Sequence, residues 1–79
     1  MKKVRFVRVD WIDSVTNGGW SAANSVSTGA EPTHIVSGGF LLEKNKRRVV
    51  IAQSLSESTQ EVCNLLTIPR GNVVRIRRP

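Results

Sequence analysis

The residues best able to do chemistry in this chain are cationic, and they fall in three groups. Lys2, Lys3, Arg5 and Arg8 lie near the start, Lys44, Lys46, Arg47 and Arg48 near the middle, and Arg70, Arg75, Arg77 and Arg78 at the end. Eight of the twelve are arginine, whose planar fork suits phosphate and base edges better than a lysine point charge does. Six Asp and Glu leave a formal charge of +6 and a pI near 10.8. Such a balance repels copies of the chain and attracts polyanions, nucleotides or anionic surfaces; a solvated basic surface that only aids solubility is the plainer alternative.

Catalysis has little to work with. One histidine, His34, and one cysteine, Cys63, make no nucleophile–base pair at any telling spacing. His34 reads as a satisfied strand residue and Cys63, between Val62 and Asn64, as a buried small hydrophobe. No GxSxG, HExxH or P-loop is present, and Gly18-Gly19 alone makes no phosphate cradle. The sequence therefore predicts a binding protein, with no enzyme activity, no cofactor and no metal.

Trp20 is the large aromatic without a pattern to justify it. It follows Gly18-Gly19 inside DSVTNGGWSAANSVSTGAE, residues 13–31, a loop by composition and long enough to be functional or mobile. Its indole either stacks on a base, an interaction of about 1–3 kcal/mol, or folds back as a lid. Asp13 and Ser14, at the loop entry, either fix the chain locally or bond a ribose or base edge. The expected ligand-binding set is Trp20, Ser14, Arg8, Arg47, Arg48, Arg70 and Arg75.

Five strands must position these residues. Val4 to Ile12 alternates with period two, but the apolar set changes parity between Phe6 and Val7, which predicts a bulge or a strand passing between faces. THIVSGGFLL, 33–42, is the second strand, with Gly38-Gly39 marking a kink or close approach. Glu43 to Lys46 turns the chain into RRVVIAQ, 47–53. A polar loop, 54–60, has room for one helical turn capped by Ser56. EVCNLLTI, 61–68, and VVRIRR, 73–78, flank the turn Pro69-Arg70-Gly71-Asn72. In the last strand Val74 and Ile76 face one way, Val73, Arg75 and Arg77 the other. If first and last strands are neighbours, Arg5 and Arg8 share a face with Arg75 and Arg77, a cluster that calls for an anion.

This is one domain over 1–79, all-β, and the pattern fits a small five-stranded antiparallel SH3/Sm-like barrel with a long first loop. An OB-fold would carry a helix between its third and fourth strands, for which 53–61 is short. A chain of this size buries roughly 60% of its unfolded surface, so self-association is expected, with Val50 and Val73 adding apolar surface. The lone cysteine fits a cytoplasmic setting; Arg5 and Arg8 interrupt any signal-peptide core, and no apolar stretch is long enough to span a bilayer.

VDWIDS, GGW, IVSGGFLLEKNKRRVVIAQSLS and LTIPRGNVVRIRR together resemble a family of short phage and prophage accessory proteins. The matching residues are Val9, Trp11, Asp13, Ser14, Gly19, Trp20, Ser37, Gly39, Phe40, Leu41, Ile68, Pro69 and Arg70. The resemblance covers nearly the whole chain. It implies a virus-encoded small barrel in the host cytoplasm, with a relation to anti-defence sponges that sequester cyclic nucleotide signals. Two other partners stay open: nucleic acid, bound in the Sm manner, and a host factor inhibited by a protein-interaction module.

Overall fold

The computed structural model describes residues 3–14, 20 and 32–79. Five strands form one open antiparallel sheet: β1 (Phe6–Asp13), β2 (Thr33–Lys44), β3 (Arg48–Leu55), β4 (Val62–Pro69) and β5 (Val73–Arg77). Their order across the sheet is β4-β3-β2-β1-β5. A 3-10 turn, Arg70–Asn72, links β4 to β5. The first and last strands are thus neighbours, as the charge argument required, and the mainly-β, five-strand reading holds.

The turns follow from their residues. Asn45 Oδ1 accepts the Arg47 and Arg48 N–H groups at 2.8 and 3.0 Å, its side-chain amide donates to Glu43 at 2.6 Å, and its own N–H donates to the Arg48 carbonyl. One asparagine therefore closes the β2–β3 hairpin. Between β3 and β4, Gln60 N–H donates to the Ser56 carbonyl and Ser56 N–H to the Glu61 carbonyl, while Thr59 N–H reaches Ser56 Oγ. This is the single Ser56-capped turn the sequence expects, released by Gln60 at φ 60°.

Alternation assigns two faces. Val7, Val9, Val49, Ile51 and Ile68 form the buried cluster on the inner face, with Trp11, Leu41, Leu66, Val73 and Ile76 packed against it. Trp11 Nε1 donates to Ser37 Oγ at 3.0 Å, which satisfies its polar handle at the core's edge. β3 is buried on both faces, since Val50 and Ala52 point the other way and are 8% and 0% exposed.

The bulge is real but sits elsewhere than expected. β1 pairs with β2 in unbroken register from Phe6 to Asp13. The slip occurs against β5, where Asp10 faces Arg75 but Trp11 faces Val73, leaving Val74 as the extra residue. This corrects the grouping of Val73 with Arg75: Val73 turns inward beside Ile76, and both arginines keep the outer face. A second slip leaves Leu42 unpaired between Leu41 and Glu43, just past the glycine pair. Val50 is thus buried and Val73 half-buried against the inner cluster, so neither stands out as a free apolar face for self-association.

The sheet must also curl. Arg70 N–H donates to the Arg47 carbonyl at 2.8 Å, and Asn72 Nδ2 to the Ile12 carbonyl at 2.9 Å. Ile12 lies opposite His34 at one end of β2, while Arg47 adjoins the other. About 33 Å of extended strand separates His34 from Lys44, yet a three-residue turn reaches only about 10 Å. Both hydrogen bonds form only because β2 bends and brings its ends toward each other. The bulge at Leu42 and the glycines make that bend accessible.

Gly39 has the tighter surroundings of the pair. A Cβ there would stand 2.9 Å from the Ala52 carbonyl oxygen and 3.0 Å from Ile51 Cβ. Backbone cannot give way as a side-chain tip can, so Gly39→Ala should destabilise the fold by about 1–3 kcal/mol in urea unfolding. Gly71→Ala, with nothing within 4 Å, should leave the urea midpoint within experimental error of the parent.

Candidate functional site: the outer face of β1 and β5

The outer face is ordered in rows by the strand register. Leu65, Ala52, Phe40 and Phe6 stand in line across four strands. The next row is Gly38, Arg8 and Arg77, and the one after it Val36, Asp10 and Arg75. An apolar stripe thus borders a charged patch built from β1 and β5.

Asp10 is the centre of that patch. It is the buried charged residue of the described chain, 2% exposed, on the face turned away from the core. Burying a carboxylate is costly unless it is paired. Arg75 Nε donates to Oδ2 at 2.8 Å and Arg77 Nη2 to Oδ1 at 3.2 Å. Arg77 Nε also lies 2.9 Å from Oδ2, an ion pair without hydrogen-bond alignment. The Arg75 hydrogen bond holds the Asp10 carboxyl below its ordinary value against the opposing push of burial, helped by the hydrogen bond from Arg77 and the charges of both arginines.

Arg8, Arg75 and Arg77 share this face with one buried carboxylate. Arg8 is directly opposite Arg77 and makes no ion pair among the described residues. The Arg75 side chain remains 64% exposed while bonded to Asp10, and that of Arg77 37%. The expected self-repulsion is therefore relieved in part by the chain's own Asp10, with positive charge left over.

Phe6 sits beside the patch as a held aromatic. A Cβ on Gly38 would meet the Phe6 ring at 3.1 Å, so the ring lies over that glycine. It packs edge-on to Phe40 with centroids 5.3 Å apart, yet stays 42% exposed. Phe6 and Arg8 are two residues apart on one face of one strand.

The other expected residues lie elsewhere. Arg48 is tied to Glu43 through Nε at 3.2 Å and Nη2 at 3.1 Å. Arg47 is exposed and, with Arg48, Asn45, Lys46 and Glu43, lines a shallow hollow at the hairpin. Arg70 adjoins Arg47 through the backbone, and its Nη1 is enclosed with no acceptor among the described residues. Arg5 precedes β1, its carbonyl accepting the Leu41 N–H, and lines a separate hollow with Lys3 and Lys44. Ser14 gives its N–H to Asp13 Oδ1 at 2.9 Å, the local fixing of the loop entry. Trp20 is fully exposed; residues 15–19 and 21–31 lie outside the described part.

The structure places Arg8, Arg75 and Arg77 on one face, as the neighbouring of first and last strands implied, and adds Asp10 and Phe6, which the sequence reading did not single out. The signal for Asp10 was an acidic residue inside a strand, facing two arginines two apart in the closing strand. Among the described residues no three His, Cys, Asp or Glu side chains gather to hold a metal, and no helix is long and apolar enough to cross a membrane.

The depressed Asp10 pKa fixes a pH dependence. Its stabilisation is complete above the unfolded carboxylate value of about 4 and is lost as pH falls through the lower folded value. Asp10→Asn should lower the melting temperature at pH 7 and flatten the loss of stability below about pH 4, read by thermal melts across pH 2–7. No known family model, curated protein or solved structure matches this chain, so its function rests on the geometry of its own residues.

Proposed function

We propose that the outer face of β1 and β5 binds a phosphate-bearing nucleotide ligand without catalysing a reaction on it. One observation carries the reading: a single buried carboxylate orients Arg75 and Arg77, while Arg8, opposite Arg77 on the same face, has no ion-pair partner among the described residues. Asp10 fixes the Arg75 and Arg77 forks before any ligand arrives, which lowers the ordering cost of binding. Arg8 and Arg75 receive the phosphates, and the exposed Phe6 ring, held over Gly38, offers a base a flat surface two residues from Arg8.

The phage resemblance makes a cyclic nucleotide signal of antiviral defence the ligand of choice, sequestered in the host cytoplasm as a sponge would. Single-stranded RNA or DNA is the second reading, because phosphates and bases recur along it. In keeping with either, the strand order β4-β3-β2-β1-β5, the curl of β2 and the short turn joining β4 to β5 suit an SH3/Sm-like barrel left open between β4 and β5.

A thermal-shift panel of cyclic di- and trinucleotides, inorganic phosphate and mixed oligonucleotides tests the proposal. A true ligand should raise stability by about 2.7 kcal/mol at a hundredfold excess over Kd. Arg8→Ala should weaken that binding by roughly ten- to a hundredfold, the loss of one charge-assisted contact, and Arg48→Ala, already tied to Glu43, by much less. Affinity falling steeply with salt for oligonucleotides would select nucleic acid. Silence across the panel at millimolar ligand would reject the reading.

A further inference from the structure

We infer that β4 is the surface through which two copies of this chain associate, by antiparallel pairing of β4 with β4 of the second copy. The inference is independent of the anion-binding face and rests on the distribution of charge among the strands.

Two strands have one partner each among the described residues, β4 and β5. An edge strand offers a row of unpaired N–H and C=O groups, and proteins usually blunt such edges with charge, bulges or brevity. β5 is blunted in all three ways: it has five residues, it carries Arg75 and Arg77, and it bulges at Val74. β4 has eight residues, VCNLLTIP, and none is charged. β1, β2, β3 and β5 all hold at least one Asp, Glu, Lys or Arg.

The partner's identity follows from the same charges. Copies carrying +6 each repel, so contact is favoured where cations are fewest. β4 is the described strand that meets this condition. A strand matched to itself also pairs at full length, whereas β5 of a neighbour offers five residues and two arginines.

The apolar stripe supports this choice. Leu65, 57% exposed, is the outer end of the row Phe6–Phe40–Ala52–Leu65. Pairing centred on Leu65, leucine opposite leucine, continues that row into the second copy and covers both side chains. The two-fold closes at two copies, because each β4 is consumed.

Equilibrium sedimentation of the full chain at about 100 µM should give twice the 8.7 kDa chain mass. Leu65→Lys should return the monomer by setting like charges against each other, while Val74→Lys, at the β5 edge and equally exposed, should leave the dimer intact. Circular dichroism and melting curves confirm that both variants fold. A spin label on Cys63, exposed and the only cysteine, should report one intermolecular distance of about 15–25 Å for strands crossing near Leu65. A monomer at that concentration, an assembly larger than two, dissociation by Val74→Lys and not by Leu65→Lys, or a label distance outside that range would overturn the inference. Ligand binding by Arg8 is read separately and does not depend on the outcome.

Discussion

The closing strand of this sheet is held to the first by a charge buried on the side away from the core. β5 is short and carries two arginines, and the single slip at Val74 decides what its residues do. With the slip, Val73 and Ile76 both add to the inner cluster and Arg75 and Arg77 both reach Asp10. Without it, one set would have to leave its partners: either Val73 would turn to solvent or the arginines would turn into the core. The bulge and the buried carboxylate are therefore one device. Each makes sense of the other, and the outer face owes its ordered arginines to both.

The same economy governs the glycines. Gly39 lets β2 lie close against the Ala52 carbonyl on the inner face, and Gly38 lets the Phe6 ring settle over the outer one. Consecutive residues point to opposite faces, so a glycine pair serves both sides of the sheet at one place along the strand. The bend that this permits brings the 3-10 turn within reach of Ile12 and Arg47. The curl of the sheet and the placement of the aromatic beside Arg8 thus have a common origin.

The strands were legible in the sequence because alternation and turn residues are local properties. Asn45, Ser56 and the Pro69–Asn72 segment stood where the chain turns, and the five apolar runs matched β1 to β5 within a few residues. Faces were harder. A strand read alone has a parity but no reference, and one slip, at Val74, exchanged Val73 for its neighbours. Asp10 could not be recognised as buried, because its burial comes from Arg75 and Arg77, some sixty-five residues away along the chain. Arg48 looked like Arg8 in composition, yet Glu43 neutralises it across the hairpin. Counting cations thus located the charge but could not say which of it was already spoken for.

That distinction separates the two surfaces of the molecule. Where cations meet an internal carboxylate with charge left over, as on β1 and β5, the face keeps a positive excess, which is the basis of the proposed anion binding. Where a strand has no cations at all, as on β4, the repulsion that keeps copies apart is weakest and backbone hydrogen bonds can act between them. The two lie at opposite edges of one sheet. A chain that joined a second copy through β5 would cover Arg75 and Arg77 and place two basic patches together. Joining through β4, as proposed, would put those patches at the far ends of a continuous sheet and leave each open to solvent.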